Sequence, residues 1–236
     1  MKKFAVIQRR AAKRKGGADA LEDLLPIAPS VRTLRKLGND RVLATMTRCI
    51  NNAGFNWGVI DKKWPQFEEA FHGFDPDTLV MLPPEEWEAY TQDTRVVRNW
   101  QKIAAVRHNA QFVLDVSAQH GSFARFVAEW PASDQIGLLK YLKANGQRLG
   151  GNTGQYFLRF IGRDGFLLSR DVVAALQDAG LDIKDTPTSQ ADFKRIQEAF
   201  NAWHEQTGLP YSHLSRIAAY SVGTNYPIEQ IVEYTR

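Results

Sequence analysis

LLKYLKANGQRLGGNTGQYFLRFI, residues 138–161, is the stretch whose reading decides the fold. A helix-spaced apolar run up to Ala144 stops at Asn145-Gly146, glycines follow at 150, 151 and 154, and a second helix-spaced run extends from Thr153 to Ile161. Glycine lets backbone N–H groups approach an anion without interference from a Cβ, and the following helix adds the positive end of its dipole. The ligand suited to that combination is a phosphate. A triphosphate-binding loop needs a preceding strand and a closing Lys-Ser/Thr, and a dinucleotide turn also needs the strand; the segment has neither. What remains is a helix-hairpin-helix whose N–H groups meet DNA backbone phosphates irrespective of base, with Arg148 and Arg159 flanking it, or else a plain glycine-rich turn between packed helices.

The rest of the chain also reads as helix. Helices are expected over Ala18–Leu25, stopped by Pro26, and from an Asp40 cap to Ala53, with Val42, Leu43 and Met46 inward and Gly54 as stop. Further helices are expected over Pro65–His72, after Asp75-Pro76-Asp77 and after Pro83-Pro84, and a long one from Val97 to Ala118 with Trp100, Ile103, Val106, Ala110, Val113 and Leu114 on one apolar stripe. Ser122–Trp130, Ser133–Ala144, Ser169–Ala179, Thr188–Gln206 and Tyr211–Val222 complete the set. The fold class is all-α, a multihelical two-lobed bundle with its N- and C-terminal helices packed together. The expected organisation is a basic segment over residues 1–16, a helical body over 17–222 and a tail over 223–236.

The 236 residues, 44% hydrophobic and 24% charged, have an ordinary soluble composition with enough length for a real core. One cysteine, Cys49, rules out a disulfide framework, a four-cysteine zinc site and a cysteine-held iron–sulfur cluster, and fits a reducing, cytoplasmic setting. The apolar run near the N-terminus is too short for a signal peptide, and no stretch approaches a membrane span. Residues 1–15 hold seven Lys and Arg and no acid, so the formal +4 of the whole leaves the remainder at −3. A nucleic-acid surface on the body is therefore a local patch, with the basic segment either a second contact or a solvated helical arm.

Two other stretches carry candidate chemistry. TRCINNAGFNWGVIDKKW, residues 47–64, sets Phe55 and Trp57 on either side of Asn56 and next to Gly54, as a pocket for an unstacked base would, although aromatics at such spacing are also ordinary core. RVVRNWQKIAAVRHNAQFV, residues 95–113, puts Arg98 and Lys102 four apart on one exposed helix face, either a shared phosphate contact or a solvated surface.

In order, AGFNW, VIDKKWPQFEEAFHGFDPDTL, VVRNWQKIAAVRHNA, GSFARFV and LGGNTGQYF resemble the DNA-3-methyladenine glycosylase I family, over about residues 40–165. The resemblance implies the all-α helix-hairpin-helix glycosylase fold, with a damaged base flipped from double-stranded DNA into a cleft between lobes. It implies that Trp57 stacks on that base. The hairpin over Gly150, Gly151, Asn152, Thr153 and Gly154, with Arg148 beside it and Tyr156 after it, would take the backbone phosphate, and Arg98 and Lys102 would support the cleft. The chain departs from the family in placing Cys49 where a base-recognising glutamate stands. Asn52 or Asn56 would then supply the hydrogen bonds. The family's zinc ligands fall near Asp171 and Ala175, so neither zinc nor another cofactor is expected.

Breaking an N-glycosidic bond passes through an oxocarbenium-like state that a carboxylate stabilises. The resemblance implies an aspartate for this role in the loop after the hairpin's second helix, where Asp171 stands, its alternative role being a first-turn acid in a helix capped by Ser169. The five histidines have no metal-ligand spacing, and Asp75 and Asp77 read as helix-start acids. The function expected is excision of an alkylated purine such as 3-methyladenine from duplex DNA by a monomer without a membrane association. The alternatives are non-catalytic recognition of DNA or its damage by the same fold, and a cleft for a small planar metabolite.

Overall fold

The computed structural model describes residues 1–235, with side-chain environments up to Ile231. Among the described residues all regular structure is helical. In chain order the α-helices are α1 (Phe4–Arg14), α2 (Ala18–Glu22), α3 (Val31–Leu34), α4 (Asn39–Asn52), α5 (Trp57–Ala70), α6 (Pro76–Met81), α7 (Pro84–Ala89) and α8 (Trp100–His120). They continue as α9 (Phe123–Glu129), α10 (Gln135–Asn145), α11 (Gly151–Phe160), α12 (Arg170–Asp178), α13 (Gln190–Thr207), α14 (Tyr211–Tyr220) and α15 (Ile228–Thr235). The chain divides into two compact units, one of residues 29–131 and 137–163, the other of residues 1–28, 132–136 and 164–236.

In the first of these units, α4 packs along α8 and buries Val42, Leu43 and Met46, as their spacing predicts. The main departure from expectation is α5. It opens eight residues before Pro65 and carries that proline inside it. Asn56 caps its first turn by accepting from the Gly58 N–H at 2.9 Å, while Ile60 and Phe67 bury its inner face. A cap and a buried face outweigh the one hydrogen bond that proline removes. Behind α5, Trp64 stacks on Phe67 and Phe74, and Phe71 packs against Trp87 and Tyr90. These six rings form one closely packed aromatic cluster beside the short helices α6 and α7.

The second unit joins the two ends of the chain. Phe4, Ile7 and Ala11 give α1 a buried face, and the Phe4 ring meets Trp203 of α13 at 5.3 Å. The basic segment is thus a packed helix rather than a solvated arm. Four of its cations work inside the fold: Arg14 donates to the carbonyls of Tyr220, Val222 and Gly223, and Lys15 to Asn225 Oδ1 and the Tyr226 carbonyl. Lys2 and Arg10 pair with Asp178. Positive side chains at the C-terminal end of α14 answer carbonyls that the helix itself leaves unpaired. Smaller corrections follow from local caps: α2 ends at Glu22, before Pro26; Val31–Leu34 forms a short helix on a Ser30 cap; α11 begins at Gly151, two residues early.

Candidate nucleic-acid interface

The glycine-rich hairpin is held by α8. Asn109, buried on that helix, accepts from the Gln147 N–H at 2.8 Å and donates to the Gln147 carbonyl at 3.1 Å. Arg148 follows with φ +60°, and its guanidinium donates to Gln101 Oε1 at 2.9 Å. Gly150 occupies the N-cap of α11 with no side chain to cap the helix, and Gly151 has φ +58°. The first N–H groups of an α-helix lack intrahelical partners, and here Gly151 and Asn152 are exposed, with Thr153 half-buried behind them. The turn therefore presents uncapped donors at the positive end of α11 to solvent. Gly154 has a different job. It is buried, and a Cβ there would strike the Leu149 carbonyl oxygen.

Helix α11 also carries the aromatic side of the site. Trp57, the first residue of α5, is 42% exposed and meets Tyr156 edge-on at 5.2 Å and Phe160 at 6.1 Å. Phe160 is itself half exposed, as are Phe55 in the preceding loop and Trp100 at the start of α8. Trp100 is thus off the buried stripe to which its spacing assigned it: α8 begins at Trp100 on an Asn99 cap, and within that first turn Lys102 and Ile103 are buried while Trp100 faces outward.

Lys102 corrects another expectation. Instead of sharing an exposed face with Arg98, it is 5% exposed and its ammonium donates to the carbonyls of Asn51 and Ala53, both at 3.0 Å, with the Phe55 ring centre 4.3 Å away. Arg98 precedes α8 and stays exposed. The lysine thus caps the end of α4 and fixes the turn that presents Phe55. Burial and the nearby Arg148 lower its pKa from the ordinary value.

The remaining candidates divide between surface, turn and core. Asn56 spends its side-chain oxygen on the α5 cap. Asn51 and Asn52 are buried at the end of α4, each with an Oδ1 that accepts no hydrogen bond. Cys49 lies in the core, where burial pushes its thiol up to about 12 and keeps it neutral at physiological pH. Asp171 belongs to the other unit, in the first turn of α12, where Ser169 is the cap and Gly223 lies so close that a Cβ would crowd the carboxylate. Ala175 is buried and offers no ligand atom, so the positions matching the family's zinc ligands do not suit the metal. As site residues, Asn109, Gln101, Phe160 and Asn51 escape the sequence reading, and Trp100 enters it only as core. A polar residue inside the apolar stripe of α8 was the available signal for Asn109.

A helical hairpin with uncapped donors, set beside exposed aromatic rings in an all-α chain, defines a helix-hairpin-helix DNA glycosylase fold. Residues 37–147 match the methyladenine glycosylase family. Across 75 residues it is 32% identical to the DNA-3-methyladenine glycosylase 1 of Escherichia coli K12 and 29% identical to the DNA-3-methyladenine glycosylase of Haemophilus influenzae. The aligned stretch covers 32% of this chain and 40% of each relative. The 8-oxoguanine DNA glycosylase of Methanocaldococcus jannaschii shares the fold over 89% of this chain and 91% of its own, with a TM-score of 0.54 and 15% identity. That likeness, one of fold alone, extends beyond the family segment. Among the described residues no helix is long and apolar enough to cross a membrane.

Proposed function

We propose that the protein is a base-excision glycosylase that flips an alkylated purine out of duplex DNA and hydrolyses its N-glycosidic bond, acting as a cytoplasmic monomer. The observation that carries this reading is the contact of Trp57 with Tyr156 and Phe160. Both partners stand on the helix that the hairpin opens, so the ring able to stack on an extruded base packs directly on the element whose first donors are able to hold a backbone phosphate. Tyr156 lies five residues from Gly151, roughly 7.5 Å along the helix axis.

In this reading the hairpin donors and Arg148 hold the strand by its phosphate, Trp57 and Phe55 stack on the base, and the Asn52 amide meets its polar edge. Cleavage sends the C1′–N bonding pair to the base and water oxygen adds to C1′; a base made cationic by alkylation leaves neutral and the water proton passes to solvent, whereas an uncharged base takes that proton as it departs. Asp171 is assigned the charge-stabilising role, offsetting the positive character that grows on the sugar. The match of residues 37–147 to the methyladenine glycosylase family makes 3-methyladenine the first lesion to test.

The test is incubation with methylated duplex DNA, with released bases identified by mass. Free methylated purine and an abasic strand are expected, with Trp57→Ala and Asp171→Asn reduced far beyond their loss of stability. Absence of release above a no-protein control, across alkylated and deaminated duplexes, sinks the proposal.

A further inference from the structure

Resting on that reading, we infer that Arg14 and Gly223 are positioning residues for Asp171: helix α1 straps the turn after α14 against the carboxylate, which fixes its place without pairing with it. Three cations of α1 make the strap. Arg10 donates to Ser221 Oγ at 3.2 Å, Arg14 to the carbonyls of Tyr220, Val222 and Gly223 at 2.9, 3.1 and 2.7 Å, and Lys15 to Asn225 Oδ1 and the Tyr226 carbonyl at 2.9 and 2.8 Å. Asn225 returns one bond, its amide donating to the Arg14 carbonyl at 3.0 Å. Residues 220–226 are thus tied to the end of α1 along their length.

That turn sets Asp171. Gly223 has φ +67°, a conformation that favours glycine, and a Cβ on it would lie 2.6 Å from Asp171 Oδ1 and 3.0 Å from its Cγ. The glycine backbone is therefore one wall of the space the carboxylate occupies. Ser169 caps α12 by accepting from the Val172 N–H, so the Asp171 side chain is not spent on its own helix. Among the described residues it makes no hydrogen bond and no ion pair.

Asp178, at the other end of α12, shows the alternative. Lys2 and Arg10 of α1 pair with it directly, at 3.2 and 2.7 Å. Arg14 instead reaches Asp171 through the Gly223 backbone. A carboxylate that offsets charge growing on a sugar needs its own charge available, and it needs to stand in place before that charge appears. A backbone wall meets both needs, whereas a paired cation would meet only the second.

The experiment uses the full chain and methylated duplex DNA, with single-turnover base release at saturating protein, duplex titration and urea unfolding. Gly223→Ala should slow release about ten-fold or more at unchanged duplex affinity, the scale on which a small displacement of a reacting group is felt. Arg14→Gln should slow it by a smaller factor, and Arg14→Lys, which keeps a donor, should recover part of the loss. Where Arg14→Gln folds poorly, Gly223→Ala, at an exposed position, carries the test alone. In an Asp171→Asn background neither substitution should slow release further, and the fall in urea midpoint caused by Gly223→Ala should shrink in Asp171→Ala, where the crowding is gone. Equal slowing with and without Asp171, or no slowing by Gly223→Ala, overturns the inference. If release by Asp171→Asn is too slow to follow, the urea comparison decides, and an undiminished fall overturns it. If the parent protein releases no base while the urea coupling is present, the positioning stands and the hydrolase reading falls. If the parent and Asp171→Asn release base equally fast, the hydrolase reading stands and the inference falls.

Discussion

Asn109 holds Gln147 from both directions, its carboxamide accepting from the backbone N–H at 2.8 Å and donating to the backbone carbonyl at 3.1 Å. One side chain on α8 thus sets the conformation from which Arg148 and the glycine turn project. Asn109→Ala should cost about 2–3 kcal/mol in denaturant unfolding, because both bonds are lost and a buried gap remains. Asn109→Asp keeps the acceptor and loses the donor, so it should fall between the two. Fluorescence anisotropy with a short duplex should show weakened binding in both variants under conditions where they are fully folded.

Gly151 and Gly154 should separate binding from folding. At Gly151 nothing lies within 4 Å of an added Cβ, and the strain comes from φ +58° alone, so Gly151→Ala should cost about 1 kcal/mol and leave the fold intact. Gly151→Val, crowding the approach of a phosphate, should lower duplex affinity by more than its stability loss explains. Gly154→Ala should instead reduce stability by about 1–3 kcal/mol, because the new carbon meets the Leu149 backbone and the Leu139 side chain. Thermal melts and duplex titrations on the three variants decide it.

Cys49 predicts an alkaline limb to stability. Its folded pKa stands at about 12 against 9.0 for the free thiol, so this contribution is complete below pH 9 and is lost as pH rises through the interval between the two values. The slope there should approach about 1.4 kcal/mol per pH unit, and Cys49→Ala should remove that component from paired urea titrations. Iodoacetamide at pH 8 should label the native protein far more slowly than the urea-unfolded chain.

Asp178 predicts a weaker acid limb. Arg10 at 2.7 Å and then Lys2 hold its carboxyl below the usual carboxylate value. The stabilisation is present above about pH 4 and fades as pH falls through the lower folded value. The carboxylate is partly exposed and screened, so the effect should stay under about 1 kcal/mol and shrink in high salt. Asp178→Asn should flatten the acid limb without changing duplex binding at neutral pH.

Helical periodicity made the all-α class legible, and punctuation by Gly, Pro and capping residues located most helices to within a few residues. Those signals are local, and they served where local physics decides. Pro65 misled because a proline reads as a stop, whereas the Asn56 cap and the buried Ile60 and Phe67 carry α5 through it. The glycine turn and Trp57 could be picked out from residue type. Lys102 could not, since whether a lysine meets solvent or the end of another helix depends on a partner some fifty residues away, here the carbonyls of Asn51 and Ala53. The same holds for the basic N-terminal segment, whose cations find their acceptors about two hundred residues later.

That last pairing has a consequence for the order in which the protein forms. The unit built on α4 and α8 draws on one nearly continuous stretch, so its structure can consolidate while later residues are still being synthesised. The other unit closes only when Phe4 meets Trp203 and Arg14 meets the end of α14, and these contacts span almost the whole sequence. Loop-closure entropy makes such a step late and slow. Until it occurs, the apolar face of Phe4, Ile7 and Ala11 waits exposed on the nascent chain, and the glycine-rich hairpin takes shape before the protein's two ends are joined.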